Sequence, residues 1–277
     1  MHPILLTLIV ILSVFAFVFL VYLFLIMTGS SKGVKGFSSV KFAHRGLHGG
    51  GIAENSMSAF RAAVDAGFGI ELDVRLSRDG ELVVFHDDDL KRVCDDERLV
   101  SDVDAIELSH LSLSGTADGV PIFREVLSLV DGKVPLLVEI KELSGNAVSL
   151  AAAEMLRGYK GAFLVESFNP LSLRAFKKQL PGVPVGILSM RFPRDKTFGL
   201  RFRNFLLGAL LTNVICRPNF IAYENEDGRA LPVKLLGGVF GAVRFAWTVK
   251  SEEEEKAAYA RGFDSVIFEQ YIPKDKI

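Results

Sequence analysis

The sequence has few cysteines and almost no net charge, and both features narrow the class of protein that it encodes. Only Cys94 and Cys216 occur, far apart in unrelated contexts, so we expect two small buried side chains rather than a disulfide framework, and a reducing compartment is favoured. The 32 basic and 33 acidic residues leave a formal net charge of -1. Because a basic surplus is missing, no nucleic-acid partner is expected.

Charged residues are also missing from the apolar run between Pro3 and Met27. At about 1.5 Å per helical residue, this run is long enough to cross a hydrocarbon core of about 30 Å. A secretory signal has a basic start and an apolar stretch of only about 7–15 residues, so a retained transmembrane anchor over residues 1–28 is favoured over a signal cleaved near residues 28–31. Lysines follow the run and no Lys or Arg precedes it, which predicts a single-pass membrane protein with a cytoplasmic catalytic domain.

Residues 29–39 are expected to form a short flexible linker, and residues 40–277 a single barrel domain. Apolar runs alternate there with helical stretches, which predicts a parallel sheet. Eight such units predict an α/β fold, a (β/α)8 TIM-type barrel; a doubly wound open sheet is the alternative, but its glycine fingerprint is missing. The predicted strands are 40–43, 69–74, 136–140, 163–166, 185–188, 220–223, 243–248 and 265–268, with 83–85 as an extra strand beside the second.

Helices are predicted between these strands, at 56–66, 123–129, 147–156, 170–179, 233–240 and 252–261, with Ser56 and Ser251 as N-caps. Two further segments are too long for simple loops, Asp87–Pro121 and Arg191–Arg217. In the second, basic residues surround the apolar run Phe205–Leu211. It is interpreted either as a helix in the membrane interface or as an ordinary barrel helix with an apolar inner face. Its basic residues are Arg191, Arg194, Lys196, Arg201, Arg203 and Arg217.

Carboxylates and histidines recur where the predicted strands end, which is where TIM-type barrels carry their catalytic residues. Glu71 and Asp73 are two residues apart on one strand, so their side chains share a face. Clustered carboxylates are costly without a cation, and Glu139 on another strand completes an all-oxygen set. Such ligands favour a hard divalent ion, Mg²⁺ or Ca²⁺.

Two histidines and two cations accompany the carboxylates and point to a phosphate ester as the substrate. Arg45 offers a planar fork for phosphate oxygens, and Lys141 offers a point charge. His44 and His86 are predicted to divide the proton transfers, one deprotonating the nucleophile and the other protonating the leaving alkoxide. Trp247 is interpreted either as an apolar wall for the substrate or as barrel core.

Other polar residues receive weaker assignments. His48 follows His44 within a glycine-rich loop, which leaves a role at the rim of the site open. His110 lies among leucines and is expected to serve packing. Glu166 precedes Ser167 at a strand end, where an additional ligand and an outward-facing charge are both conceivable; the outward-facing reading is favoured.

The ordered motifs of the chain resemble those of the glycerophosphodiester phosphodiesterase family. The resemblance runs from Val40 to about Phe268, and the motifs are highly specific as an ensemble, although each alone is weak. The matching segments are 42–46 (FAHRG), 54–56 (ENS), 59–60 (AF), 71–74 (ELDV), 79–80 (DG), 83–87 (VVFHD), 139–141 (EIK), 167–168 (SF) and 246–249 (AWTV).

This resemblance implies a TIM-type barrel that hydrolyses glycerophosphodiesters to an alcohol and glycerol 3-phosphate with a divalent metal ion. It implies an insertion after the second strand, supplied by Asp87–Pro121. It also implies residue roles: His44 and His86 as the acid/base pair, Glu71, Asp73 and Glu139 as metal ligands, and Arg45, Glu54 and Lys141 as residues lining the metal, phosphate and glycerol pocket.

Three functions remain open at this point. The first is hydrolysis of water-soluble glycerophosphodiesters by a membrane-anchored enzyme. The second is lysophospholipase D-type hydrolysis of lysophospholipids in the membrane, which the anchor and the Arg191–Arg217 segment make credible. The third is a catalytically silent barrel that binds a ligand or the membrane, and the complete set of histidines and carboxylates argues against it.

Overall fold

The computed structural model describes residues 3–142, 144–192 and 197–274, and its centre is a sheet of nine strands. The strands are β1 (Lys41–Ala43), β2 (Gly69–Leu76), β3 (Leu82–Val84), β4 (Leu136–Ile140), β5 (Phe163–Ser167), β6 (Val185–Ser189), β7 (Phe220–Glu224), β8 (Val243–Val249) and β9 (Ser265–Phe268). All except β3 are parallel, and β1 pairs with both β2 and β9, which closes the barrel. The predicted TIM-type barrel is confirmed.

Helices alternate with the parallel strands and cover the barrel. They are α1 (Pro3–Ile26), α2 (Met57–Ala66), α3 (Lys91–Cys94), α4 (Ala105–Leu108), α5 (Phe123–Val130), α6 (Ala147–Arg157), α7 (Pro170–Gln179), α8 (Phe198–Gly208), α9 (Asn213–Cys216), α10 (Leu231–Phe240) and α11 (Glu252–Ala260). Ser56 and Ser251 accept hydrogen bonds from backbone amides of α2 and α11, as predicted, and Asn169 caps α7 in the same way.

The segment after β2 forms a small subdomain. Strand β3 runs antiparallel to β2, as expected for the extra strand. The predicted insertion, Asp87–Pro121, then contributes α3 and α4, whose apolar residues form a separate cluster around Val83 and Phe85. The insertion therefore has its own core and is held beside the end of β2 where the chemistry was predicted.

The two ends of the barrel differ in character. The end where the parallel strands begin, called here the amino rim, is filled by apolar side chains, and the rings of Phe220 and Phe245 lie 4.8 Å apart there. Gly186 makes room for this packing, since a β-carbon on it would lie 2.1 Å from the Phe220 ring. The end where the strands finish, the carboxyl rim, carries the polar side chains.

Residues 29–39 pack against the amino rim, so the expectation of a flexible linker is wrong. The backbone amide of Gly29 donates to Pro218 O at 2.7 Å, and Asn219 Nδ2 donates to Ser30 O at 2.8 Å. Val34 is fully buried in the barrel interior. Backbone hydrogen bonds to the loop before β7 and one apolar anchor order this segment.

Helix α1 has two parts. Residues 3–21 are exposed on every side, and the helix is long and apolar enough to cross a membrane, with a mean hydropathy of 3.2. Its last turn packs on the barrel, where Ile26 is fully buried and Asn213 Nδ2 donates to Ile26 O at 2.7 Å. Arg217 lies over the Phe24 ring at 4.5 Å and donates to Phe24 O.

The Arg191–Arg217 segment contains α8 and α9, and it fits neither interpretation along its whole length. Helix α8 has no fully buried residue, but Leu206 and Leu207 are half-buried, so its apolar inner face is only partly packed on the barrel. Leu210, just beyond α8, is fully buried and belongs to the core. Arg194 and Lys196 lie outside the described residues.

Candidate active site

The carboxyl rim brings most of the predicted site residues together around one cavity of about 120 Å³. Asp73 and Glu54 do not line it but contact the lining residues Lys141 and Arg45. Register explains much of this convergence, because Asp73 of β2 and Glu139 of β4 are direct partners on adjacent parallel strands. The lining residues include His44, Arg45, Glu71, His86, Glu139, Lys141, Glu166, Phe168 and Trp247.

Three carboxylates form the floor of the site. Glu71, Asp73 and Glu139 are 2%, 1% and 7% exposed. One carboxylate oxygen from each lies within 4.8 Å of the other two, close enough for a single cation to contact all three. The predicted triad is therefore assembled in the fold.

The electrostatics of the triad suit a divalent cation. Burial, followed by repulsion from Asp73 and Glu139, raises the pKa of Glu71 well above its usual range. Burial also raises the pKa of Glu139, to about 7, against the opposing charge of Lys141. Asp73 is buried too, but Lys141, His86, Arg45 and a hydrogen bond from Asn55 hold its pKa below its usual range. Negative charge thus exceeds what the neighbouring side chains compensate, and oxygen ligands of this kind fit Mg²⁺ or Ca²⁺.

Two cationic side chains border the carboxylates. Lys141 Nζ lies 2.8 Å from Glu139 Oε2 and 3.1 Å from Asp73 Oδ1. Arg45 donates from Nη1 to Glu54 Oε1 at 2.7 Å and from its backbone amide to Glu71 Oε2 at 2.9 Å. Its Nε has no hydrogen-bond partner among the described residues and lies 3.7 Å from Asp73 Oδ2.

A buried amide completes the frame around Asp73. Asn55 Nδ2 donates to Asp73 Oδ2 at 2.8 Å, and Asn55 is only 2% exposed. Arg45 and Asn55 both adopt left-handed backbone conformations, with φ of 56° and 51°. These conformations direct the Arg45 backbone amide at Glu71 and the Asn55 side chain at Asp73. The sequence analysis gave Asn55 no role, although it lies in a matching motif.

Each histidine is oriented by a carboxylate. His44 Nδ1 lies 2.8 Å from Glu269 Oε2, and His86 Nδ1 lies 2.6 Å from Asp87 Oδ1. Each pairing leaves Nε2 for other contacts, as expected of a positioned general acid or base. Burial is the first cause that lowers the pKa of His86, which favours its neutral form.

The insertion holds the second histidine in place through Arg92 of α3. Arg92 donates to Asp87 Oδ2 at 2.6 Å through Nε and to Glu54 Oε1 at 2.6 Å through Nη2. Glu54 therefore joins two arginines, Arg45 and Arg92. Sequence reasoning missed Arg92 and Glu269 because neither lies in a motif, although Glu269 directly follows the last strand.

Glu166 faces the cavity, so its assignment as an outward-facing charge is wrong. It is 1% exposed, and it is the direct partner of Glu139 on the adjacent parallel strand, which places both side chains on the inner face. Its Oε2 has no hydrogen-bond partner among the described residues. Burial, followed by repulsion from Glu71, Glu139 and Asp73, raises its pKa well above the usual range.

Aromatic side chains form the apolar wall of the site. Trp247 lines the cavity rather than the closed core, and its ring lies 5.5 Å from that of Phe168. Phe168 in turn lies 6.2 Å from Phe192, which follows β6. The aromatic contacts thus lead from the cavity toward the segment that contains α8.

His48 and His110, the other two histidines among the described residues, differ from each other. His48 is half-buried and offers a ring nitrogen within 4.8 Å of ligand atoms of His44 and Glu269, so it borders the site. His110 is exposed, and its Nδ1 lies 2.6 Å from Ile106 O, so the expected packing role is wrong.

Comparison with known proteins gives one consistent family. Residues 44–271 match the model of the glycerophosphoryl diester phosphodiesterase family. A glycerophosphodiester phosphodiesterase from Caldanaerobacter subterraneus is 30% identical over 239 residues, which are 81% of this chain and 91% of that protein. Lysophospholipase D GDPD1 of Rattus norvegicus is 29% identical over 264 residues, 83% of either protein.

The fold has solved counterparts. A phosphodiesterase from Oleispira antarctica, solved in complex with the product sn-glycerol-3-phosphate, superposes with a TM-score of 0.69. The match covers 87% of this chain and 95% of that one at 24% sequence identity.

Proposed function

We propose a division of roles among the cavity residues, on the premise that the chain belongs to the glycerophosphoryl diester phosphodiesterase family and hydrolyses glycerophosphodiesters to an alcohol and glycerol 3-phosphate. The observation that carries the proposal is the meeting of three carboxylates and two carboxylate-oriented histidines around one cavity.

Glu71, Asp73 and Glu139 are the proposed metal ligands, and Mg²⁺ or Ca²⁺ is the proposed ion. A divalent ion there would offset the clustered negative charge and polarise a bound phosphate. Arg45 and Lys141 contribute positive charge for the phosphate oxygens, and Nε of Arg45 is a buried donor that such an oxygen would satisfy. Glu54 holds the Arg45 guanidinium in place.

His44 and His86 carry the protons. One Nε2 accepts the proton of the attacking hydroxyl as the new P–O bond forms, and the other donates a proton to the leaving alkoxide as the old P–O bond breaks. Glu269 and Asp87 fix the ring orientations and stabilise the protonated forms. If a cyclic glycerophosphate is released before glycerol 3-phosphate, the attacking hydroxyl belongs to the substrate. If no cyclic product appears during the time course, the attacking hydroxyl belongs to water.

Residues 1–28 are the proposed single-pass anchor, residues 29–39 the docked segment, and residues 40–277 the barrel domain. The lysines that follow the span favour a barrel on the cytoplasmic side of the membrane. The packing of α1 supports retention of the anchor over cleavage. Removing α1 would expose the core around buried Ile26 and take the carbonyl partner from Asn213 Nδ2.

A second candidate function is lysophospholipase D-type hydrolysis of membrane lysophospholipids. It is favoured by the exposed apolar side chains of α8 near the carboxyl rim and by the similarity to a protein named lysophospholipase D. The assay compares release of glycerol 3-phosphate from glycerophosphocholine with release of choline from lysophosphatidylcholine, with metal and with chelator. Metal-dependent turnover of either substrate is expected, and no turnover of both would overturn the proposal.

A further inference from the structure

We propose that the carboxyl rim of the barrel faces the phospholipid bilayer, held there by α1 on one side and by the exposed face of α8 resting in the membrane interface. The inference rests on the proposed anchor and deepens the proposed function, because it delivers substrate to the cavity from the membrane surface.

The path of the chain after α1 gives the orientation. Ile26 O bonds Asn213 in α9, and three residues later Gly29 bonds Pro218, just before β7 begins at Phe220. The chain continues to Val34, buried inside the barrel beside the side chains of the amino rim. The chain therefore descends toward the amino rim as α1 ends, and a helix that continues this line backward extends toward the carboxyl rim.

The length of the unpacked part of α1 fits this orientation. Residues 3–21 make no burying contact with the barrel. At about 1.5 Å per residue they extend roughly 28 Å, close to the thickness of a hydrocarbon core. The membrane boundary then falls near Tyr22, where packing on the barrel begins.

Helix α8 has the composition of an interfacial helix on its exposed face. Phe198, Phe202 and Phe205 follow the i, i+4, i+7 spacing of one helix face and are 78%, 54% and 62% exposed. Arg201 and Arg203 are exposed as well, and α8 contains no acidic residue. Aromatic side chains with flanking arginines favour a surface that contains anionic lipids.

Two contacts tie α8 to the carboxyl rim. Ser189 Oγ, at the end of β6, donates to Leu207 O at 2.9 Å, and Tyr223 Oη, near the end of β7, donates to Gly208 O at 2.9 Å. Helix α8 thus lies on the same end of the barrel as the catalytic cavity, and on the side where α1 packs through α9.

The aromatic wall connects this surface to the cavity. Phe192 and Phe205 line one open groove, and Phe192 contacts Phe168, which contacts Trp247 in the cavity. A single-chain glycerophospholipid would place its phosphate beside Arg45 and Lys141, and its acyl chain would lie along these rings toward the bilayer.

The test measures membrane depth in the full-length chain reconstituted into phosphatidylcholine vesicles containing phosphatidylglycerol. Cys94 is replaced by Ser, since Cys216 is buried, and a fluorophore is attached to Phe202→Cys or, as the matched control, to exposed Ser39→Cys at the amino rim. Lipids that carry a shallow spin label are expected to quench the label at residue 202 and not the label at residue 39. Quenching at residue 39 alone, or at neither site, would overturn the inference. It would also be overturned if the label at residue 202 were not quenched and residue 202 instead cross-linked between copies of the chain.

An activity measurement separates this inference from the proposed function. Phe202→Ser is compared with Val239→Ser. Val239 is an apolar residue of similar exposure in the last turn of α10, just before β8 begins. We expect kcat/KM on vesicle-borne lysophosphatidylcholine to fall about tenfold for the first and to stay unchanged for the second. Turnover of soluble glycerophosphocholine should be unaffected in both. An equal loss on soluble substrate would reject the surface role, whereas wild-type protein inactive on both substrates would reject the proposed function instead.

Discussion

His44 Nδ1 lies 2.8 Å from Glu269 Oε2, so the residues that directly follow the first and last strands of the barrel form one hydrogen-bonded pair across 225 residues of sequence. The hydrogen bond from His44 is the first cause that lowers the pKa of Glu269, to about 2. Glu269 is therefore ionised throughout the neutral range and orients the imidazole without titrating there.

Replacing Glu269 with Gln should lower kcat by about 10²-fold while KM changes little, because the ring loses its orienting charge. Gln270→Ala is the control. A normal kcat in the Glu269 variant would show that Glu269 has no part in the reaction.

His44→Ala and His86→Ala should each reduce kcat by about 10²–10⁴-fold and leave the circular dichroism spectrum and melting temperature close to those of the wild type. Both rings are partly exposed in the cavity, so their loss leaves the core intact. His110→Ala, at an exposed site, should retain full activity. Near-normal turnover in either cavity variant contradicts the acid/base pair.

A chelator should abolish activity, and Mg²⁺ or Ca²⁺ should restore it. Glu139→Gln removes one of three carboxylates and should weaken metal affinity by at least about tenfold, as measured by calorimetry with the full-length protein. Glu125→Gln, in α5 and remote from the cavity, is the matched control. Full activity in metal-free protein would refute metal dependence.

Metal binding should release protons, and metal affinity should rise as the pH increases through about 7. The reason is that burial raises the pKa of Glu139 to about 7 and that of Glu71 above its usual range, so the metal-free site retains protons that a cation displaces. Calorimetry in two buffers of different ionisation enthalpy measures the number released. Identical binding enthalpies in both buffers at pH 6 would contradict this expectation.

The Arg191–Arg217 segment should divide into a core part and a surface part. Leu210→Ala should lower the free energy of unfolding by about 2–5 kcal/mol, because Leu210 is fully buried, whereas Phe198→Ser should change it by less than about 0.5 kcal/mol. Denaturant unfolding in detergent measures both. A comparable loss for Phe198 would show that the first turn of α8 also packs on the barrel.

The sequence pattern predicted the strands because parallel strands buried on both faces appear as short apolar runs between helical stretches. Six of the eight predicted parallel strands differ from the observed ones only by short extensions or trimmed ends, and 136–140 and 265–268 are identical. The metal ligands followed from the alternation of side chains along a strand, which placed Glu71 and Asp73 on one face.

Other features depended on register and on contacts between distant segments. Glu166 faces the cavity because β5 pairs with β4 in a register that places Glu166 opposite Glu139. Strand register cannot be derived from the pattern of a single strand. Residues 29–39 looked flexible from their composition, but their partners belong to the loop before β7.

The sequence by itself determined the barrel, the apolar span and the chemical types at the strand ends, because periodicity and burial act over a few neighbouring residues. Only the tertiary structure decided which carboxylate orients His44, that Arg92 joins Glu54 to Asp87, and that the phenylalanines of α8 remain exposed beside the cavity. These relationships arise when barrel closure brings remote segments together, and a contact between residues far apart in sequence leaves no local pattern for sequence analysis to detect.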